Sequence, residues 1–273
     1  MSGSVRELDG SAASLFLEEL RRARGSAGLS QEQLASKISY SPSLVSLVET
    51  GRRVPTRDFA ARCDEALAAE GRFTRIWTLV SREATPSWFR EWVEIEREAV
   101  SLRSWEPLVF PGLLQTPEYA REVLGKARPG DSDTDVDKLV NARMERQQIL
   151  GRENPPALLA VIGEDVLRRR IGSRALMREQ LAHLLEMAQR PRVVLQVVPF
   201  DAGAHPGLLG PFVIASFDGA QDVAYLDGPL SAQLVQSPEE VSRVALLYDI
   251  LRGEALPRGV SIEMITEVMG TWT

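Results

Sequence analysis

Side chains able to carry acid–base or metal chemistry are few in this sequence of 273 residues. Its two histidines, His183 and His205, stand 22 positions apart, so they cannot form the closely spaced pair of a helical zinc site. The single cysteine, Cys63, falls between Phe59 and Leu67 at helical spacing, which favours a small buried side chain over a reactive thiol. No third ligand stands at a recognisable spacing, so we expect neither a metal nor a cofactor.

The motifs of common hydrolases are missing from the sequence as well. The Gly-rich stretch 203–210 does not lead into a predicted helix, and it lacks the G-x-x-x-x-G-K-[ST] pattern that cradles phosphates. No G-x-S-x-G nucleophile elbow occurs. The sequence therefore predicts a binding protein and not an enzyme.

A ligand pocket is one hypothesis for the tryptophans around the broken apolar segment EPLVFPGLLQT, residues 106–116. The candidate ligand-binding residues are Trp88, Trp92, Trp105, Gln115 and His205. The tryptophans could wall an apolar cleft with the glutamine as a polar anchor. The histidine, in the loop AGAHPGLLG, could line a pocket or only a turn. At this helical spacing the tryptophans are also explained as core, and both hypotheses stay open.

Length and composition indicate an ordinary folded protein with two domains. The chain is 44% hydrophobic and 26% charged, and no apolar run approaches the ~18 residues that a membrane span requires. The first ten residues lack the cationic start and apolar core of a secretory signal. We therefore expect a cytoplasmic protein.

The net charge of −6 is unevenly distributed along the chain. Residues 1–82 hold 12 Lys and Arg against 10 Asp and Glu, a balance of +2, whereas 83–273 hold 20 against 28, a balance of −8. Contact with phosphate depends on where cations cluster. The acidic second part therefore does not exclude nucleic acid as a partner.

The first eighty residues have the pattern of five short helices. The first helix starts at Ser14, with leucines at amphipathic spacing. The fourth and fifth are indicated by the apolar sets Phe59, Ala60, Cys63 and Leu67, and Phe73, Ile76, Trp77 and Val80. We expect a flexible arm over 1–13 and an all-α bundle over 14–82.

The second and third helices, over 31–38 and 42–50, carry clear start signals. Ser30 is an N-cap followed three residues later by a glutamine, which is a capping box. Ser41 is the N-cap of the next helix and is followed by a proline, whose missing N–H costs nothing at the first helical position. A glycine then ends the helix.

The run 29–55, LSQEQLASKISYSPSLVSLVETGRRVP, resembles the helix-turn-helix of the XRE or Cro/C1-repressor family. The likeness rests on the Ser-Gln start of the second helix, the Ala within it, the Ser opening the third helix and the Glu-x-Gly-x-x-x-Pro close. It implies that one short helix braces another, whose leading side chains enter the major groove of DNA. The function implied is that of a sequence-specific DNA-binding transcriptional regulator.

The same resemblance implies roles for particular residues. Base edges would be faced by Pro42, Ser43, Ser46 and Leu47, and phosphates would be contacted by Gln31, Thr50, Arg52 and Arg53. Serines discriminate poorly among bases, and the apolar pair offers contact only with thymine methyl groups. Sequence preference would then depend partly on water or DNA shape. For Gln31 and Ser43, capping and solvation alone are the alternative.

The remaining residues, 87–273, have the pattern of an α+β domain with a mixed or antiparallel sheet of four or five strands. A helical pattern runs from Ser87 to about Trp105. The predicted strands are 158–162, 193–198, 212–217, 223–226 and 232–235. Further helices are predicted over 117–126, 136–152, 174–189, 238–252 and 261–269.

Most of 88–269 resembles the C-terminal domain of antitoxin-like XRE regulators from actinobacteria, through stretches such as EPLVFPGLLQTPEYAREVL and SPEEVSRVALLYDIL. The resemblance implies no chemistry, but it makes a small partner protein encoded nearby a candidate. Two hypotheses stay open, beside a third, a small-molecule enzyme fused to a DNA-binding domain, for which no residue indicates turnover. One is a homodimeric regulator of double-stranded DNA whose second domain dimerises and senses a ligand or protein. The other is an antitoxin-like protein that sequesters its partner and regulates its own operon.

Overall fold

The computed structural model describes residues 11–84, 87–127, 130–228 and 232–273, without the side chains of 81–84, 87 and 88. The helices are α1 (Ala12–Ser26), α2 (Gln31–Ile38), α3 (Pro42–Glu49), α4 (Arg57–Ala66), α5 (Arg72–Ala84), α6 (Ser87–Glu98), α7 (Pro117–Ala127), α8 (Asp133–Arg146), α9 (Glu164–Arg168), α10 (Arg174–Met187), α11 (Pro238–Glu254) and α12 (Arg258–Thr271). The strands are β1 (Ser101–Glu106), β2 (Ala157–Gly163), β3 (Val193–Val198), β4 (Phe212–Ser216), β5 (Val223–Leu226) and β6 (Gln233–Val235). No helix in these ranges is long and apolar enough to cross a membrane.

The chain divides into two units that are not continuous in sequence. The first unit comprises Met1–Pro86 and Leu124–Glu145, and the second comprises Ser87–Val123 and Arg146–Thr273. This differs from the predicted second domain, 87–273, because one segment returns to the first unit. The predicted arm over 1–13 also differs, since α1 begins at Ala12; residues 1–10 lie outside the described residues.

Helices α1 to α5 form the predicted five-helix bundle. Their core consists of residues contributed by all five helices, including Phe16, Leu34, Val45, Phe59, Phe73 and Trp77. The Trp77 indole donates a hydrogen bond to the Pro55 carbonyl over 2.9 Å, which ties α5 to the loop between α3 and α4. The apolar spacing read from the sequence therefore identified the faces that pack together.

The second unit is built around a six-stranded mixed sheet with strand order β3-β2-β1-β4-β5-β6. Strands β1, β2 and β3 are parallel, whereas β4, β5 and β6 continue the sheet by antiparallel pairing. This confirms an α+β domain with a mixed sheet, which has one strand more than the four or five predicted.

Helices cover both faces of this sheet. Leu102, Leu158 and Leu195 lie on one face, in a core that includes Leu181 of α10 and Ile265 of α12. The opposite face carries a second core, whose members include Trp105, Val161, Phe212, Tyr248 and Leu251. Consecutive strand residues alternate between the two cores, as the pleat of a strand requires.

The predicted helix from Ser87 to about Trp105 is wrong after Glu98. Helix α6 ends at Glu98, and the chain continues as β1, an interior strand that pairs in parallel with β2 and antiparallel with β4. Leu102 extended the helical spacing of the preceding apolar residues, but it is buried in one face of the sheet while Trp105 is buried in the other. A strand buried on both faces lacks the simple alternation that marks a half-buried strand.

Candidate nucleic-acid interface

Two serines fix the turn between α2 and α3. Ser39 ends α2 in the left-handed region, with φ 58, and its N–H bonds back to carbonyls of the helix. Ser41 then begins α3, because its hydroxyl accepts a hydrogen bond from the Leu44 N–H over 3.2 Å. The capping box predicted at Ser30 is also present at the start of α2. Local capping thus sets the helix-turn-helix geometry.

One side of α3 is buried, and the other faces solvent. Val45 and Val48 are fully buried in the bundle core. The four residues predicted to face bases lie off this buried side: Pro42 and Ser43 are exposed, Leu47 is 38% exposed, and Ser46 is half-buried. The Ser43 hydroxyl lies 3.0 Å from that of Ser41, so it is drawn toward the cap. The unit leaves the outer side of α3 open to a partner.

The last residue of α3, Glu49, is a buried carboxylate that links α3 to two other helices. Its side chain is 3% exposed, and Arg24 of α1 donates to both carboxylate oxygens, over 2.6 and 3.0 Å. Gln31 of α2 donates its amide to the same carboxylate over 2.6 Å. Arg21 of α1 bonds to the Glu49 backbone carbonyl. These contacts hold the C-terminal end of α3 in place.

Opposing influences act on the pKa of Glu49. Burial raises it, but the hydrogen bonds from Arg24 and Gln31 lower it by more, so the pKa lies below its ordinary value. The same hydrogen bond raises the pKa of Arg24. The pair is therefore ionised at neutral pH.

Two of the predicted phosphate contacts also make contacts inside the unit. Gln31 directs an amide N–H to Glu49, which gives it a part in holding α3. The Thr50 hydroxyl donates to the backbone carbonyls of Ser46 and Leu47, over 2.8 and 3.2 Å. Its hydrogen is thus directed at the protein backbone and away from a phosphate. A phosphate contact by either residue stays a prediction.

Arg52 and Arg53 lie in the loop after α3, and both are exposed. The Nε of Arg53 lies 3.2 Å from an oxygen of Asp137, a residue of α8 whose side chain is 7% exposed. Helix α8 also holds the backbone of this loop: Thr134 donates to the Arg52 carbonyl over 3.4 Å, and Asn141 donates to the Pro55 carbonyl over 3.1 Å. One of the two predicted phosphate-binding arginines therefore pairs with a carboxylate of the same unit.

The Glu49 and Asp137 contacts were missed in the sequence. A signal for Glu49 was available, because it occupies the inward position one residue after Val48, at the end of a short helix. No local signal pointed to Asp137, which lies more than eighty positions beyond Arg53 in an acidic stretch typical of a solvated surface. Such a pair depends on tertiary folding alone.

The predicted ligand-binding residues of the second unit do not line one cleft. Trp92 stacks on Tyr225, with ring centroids 4.9 Å apart, in the core on one face of the sheet. Trp105 lies in the core on the other face, so the sheet separates the two tryptophans. Gln115 donates to the Phe110 carbonyl over 2.7 Å and is buried. The side chain of Trp88 lies outside the described part of the chain.

Trp105 and His205 are the candidates that the structure brings together. Their rings meet edge to face with centroids 5.4 Å apart, and the Trp105 indole donates to the Gly207 carbonyl over 2.9 Å. The Nδ1 atom of His205 is buried and has no hydrogen-bond partner among the described residues. A ligand role for His205 stays a prediction. In the same ranges, no group of three His, Cys, Asp or Glu is placed to hold a metal ion.

Comparison with known families fits this geometry. Residues 15–73 match the family model described as a helix-turn-helix domain, which spans α1 to α4 and the start of α5. This part of the first unit is therefore a helix-turn-helix module, the class of fold typical of DNA-binding regulators.

The larger part of the chain, residues 89–267, matches a family model described as a domain of unknown function, DUF5753. Because this match covers more than half of the chain, the protein belongs to the DUF5753 family. No curated protein and no solved structure shows significant similarity to it. Membership of an actinobacterial antitoxin-like subfamily stays a prediction.

Proposed function

We propose that this protein is a sequence-specific regulator of transcription that binds double-stranded DNA through the outer side of α3, and that it is not an enzyme. The observation that carries the proposal is the exposure of Ser43 and Leu47 on a capped helix of a helix-turn-helix module, beside the exposed Arg52. A helix with one free side fits the major groove, where side chains at its start reach base edges.

Within this proposal Arg52 and Arg53 contribute affinity, and the exposed side of α3 contributes sequence preference. Guanidinium groups bind phosphates without regard to sequence, whereas contacts with base edges differ between base pairs. The small side chains of α3 leave room for bridging water, so DNA shape would supply part of the preference.

Selection from a random-sequence duplex library with the purified full chain tests the proposal. We expect the wild-type protein to enrich a motif. The Arg52→Ala variant should bind every duplex about fivefold more weakly at 0.15 M salt. Each phosphate contact contributes about 0.9 to the slope of log K against log salt concentration, and between 1 M and 0.15 M salt this slope amounts to about fivefold in K. Ser43→Ala should bind with a changed motif. Failure of the wild-type chain to enrich any motif would overturn the proposal.

Two finer points belong to the same proposal. A homodimer would present two copies of α3 to half-sites on the DNA. The second unit would dimerise and respond to a ligand or a protein, and sequestration of a small partner protein stays the alternative. Purification of the protein from its native cell distinguishes the regulator from the sequestering protein. A small protein that co-purifies in stoichiometric amount favours sequestration. Cytoplasmic location stays a prediction.

A further inference from the structure

Helix α8 places a carboxylate against the loop that contacts DNA in the proposed function. Asp137 is nearly buried, with its side chain 7% exposed, whereas its partner Arg53 is 50% exposed. The Arg53 Nε lies 3.2 Å from Asp137 Oδ2, within ion-pair distance. A carboxylate at this distance occupies part of the guanidinium that a DNA phosphate would otherwise bind.

The residues of α8 that contact this loop lie along one face of the helix. Thr134, Asp137 and Asn141 follow one another at spacings of three and four residues, so they share a face. The hydrogen bonds of Thr134 to Arg52 and of Asn141 to Pro55 flank the ion pair on both sides. The pairing is therefore part of an ordered contact between α8 and the loop.

Negative charges around the contact between Arg53 and Asp137 repel the phosphates of DNA. The start of α8 and the turn before it hold four acidic residues, Asp131, Asp133, Asp135 and Asp137. Lys138 offsets part of this charge by pairing with Asp135 over 2.9 Å. A phosphate that approaches Arg53 from solvent must therefore come close to a region of negative potential.

We propose that Asp137 restrains DNA binding by holding Arg53 in place of a DNA phosphate. This inference rests on the proposed function. When DNA binds, Arg53 either leaves Asp137, so that a nearly buried carboxylate loses a partner, or it binds phosphate beside that carboxylate. Both outcomes weaken the phosphate contact. A signal that draws α8 away from the loop would raise affinity for DNA.

The opposite role for Asp137 would be to orient Arg53 toward a phosphate. In that case, removal of the carboxylate would weaken binding, because the arginine would lose its fixed geometry. The two roles predict changes of opposite sign in the same measurement. The sign of the change therefore identifies the role.

The test measures Kd by fluorescence anisotropy for the full chain with a labelled duplex enriched by the wild-type protein and with a scrambled duplex, over a range of salt concentrations. We expect Asp137→Asn to bind both duplexes about fivefold more tightly at 0.15 M salt, with a salt slope steeper by about 0.9, the effect of one added phosphate contact. Asp135→Asn is the matched control, since it removes the same charge from a residue paired within α8. It should change Kd much less.

Two further variants test whether the effect of Asp137→Asn acts through Arg53 and the loop, and not through a change in folding or in net charge. In an Arg53→Ala background, Asp137→Asn should no longer tighten binding, because the restrained arginine is gone. Asn141→Ala releases the loop without changing charge, so it should also tighten binding, and it decides the matter if Asp137→Asn does not fold.

The possible outcomes separate this inference from the proposed function. Wild-type binding with an unchanged or weaker Asp137→Asn variant, or an equal effect of Asp135→Asn, overturns the inference alone. Failure of the wild-type protein to enrich any duplex overturns the proposed function, and the inference with it.

Discussion

At the scale of single residues, Glu49 links three helices of the first unit. Its nearly buried carboxylate joins Arg24 of α1 and Gln31 of α2 to the end of α3. Removal of one partner of such a pair leaves the other charge without compensation. The position of α3 therefore depends on a residue that does not face DNA.

We expect Glu49→Gln to lower the free energy of unfolding of the first unit by about 2 kcal/mol at pH 7, the worth of a charged hydrogen bond in a partly buried site. Unfolding can be followed through labelling of Cys63, which belongs to the same core. Glu32→Gln, on the exposed side of α2, is the control and should retain wild-type stability. Equal stability of all three proteins would show that the buried pair contributes nothing.

The same carboxylate predicts a dependence on pH. The pKa of Glu49 is lower in the folded unit than the ordinary value of 4.5 expected after unfolding. A depressed carboxyl pKa stabilises the fold above the unfolded value, and this contribution is lost as pH falls through the folded pKa. The difference in unfolding free energy between wild type and Glu49→Gln should therefore shrink below about pH 4.5. A difference that grows with acid would contradict this account.

Cys63 should be inert in the folded protein. Its side chain is fully buried, and burial, with smaller effects of Asp64 and Glu49, raises its pKa to about 12. We expect labelling by a disulfide reagent at pH 8 to be more than about a hundredfold slower than in the urea-unfolded chain, because the thiolate is the reactive form. Labelling at the unfolded rate in native buffer would contradict the structure.

At the scale of elements, prediction from sequence succeeded where the signals were local. The caps at Ser30 and Ser41 and the glycine after α3 predicted the bounds of α2 and α3 to within a residue. Strand β1 was missed because its burial is set by neighbours far away in sequence, namely β2 and β4. The placement of Trp92 and Trp105 on opposite faces of the sheet could not be predicted for the same reason, since that strand is part of the sheet between them.

Packing of the loop before β4 against the sheet and α11 yields a test of the second unit. A Cβ added to Gly207 would lie 2.5 Å from the Trp105 ring and 2.7 Å from a Leu251 methyl group, far inside contact distance. We expect Gly207→Ala to destabilise the unit by about 1–3 kcal/mol, the usual effect of overpacking. Thermal unfolding of the full chain measures it.

The control for this substitution is Gly253→Ala on α11, where the added methyl group meets nothing within 4 Å. Alanine favours a helix over glycine by up to about 1 kcal/mol, so this variant should be neutral or more stable. If both variants melt at the same temperature as wild type, the close approach of Gly207 to Trp105 is wrong.

At the scale of the whole molecule, the order of the two domains along the chain could be predicted from the sequence. The assignment of one later segment to the first unit could not. Leu124–Glu145 lies inside the DUF5753 match and yet belongs to the unit of the helix-turn-helix. Its pattern is that of an ordinary polar helix, and nothing in it specifies a distant partner. As a result the sequence could predict Arg53 as a phosphate contact, but not the carboxylate that pairs with it.

Assembly is a further prediction at this scale. If the protein acts as a homodimer, the enriched DNA motif should contain two half-sites whose centres lie about 34–36 Å apart, one turn of the duplex or a multiple of it. Analytical ultracentrifugation of the protein without DNA should give twice the mass of a single chain, which is 30.2 kDa. A monomer that binds a single unrepeated site would rule out the dimeric arrangement.

In the proposed function the outer side of α3 enters the groove of DNA, and cleavage of DNA by an iron chelate attached to the protein shows whether it does. A Ser43→Cys variant can be labelled selectively, because Cys63 is buried. The control carries the chelate at Leu79→Cys, which is 48% exposed on α5. We expect cuts within the enriched motif from position 43 and few from position 79. Cuts from position 79 alone, or none within the motif from position 43, would contradict it.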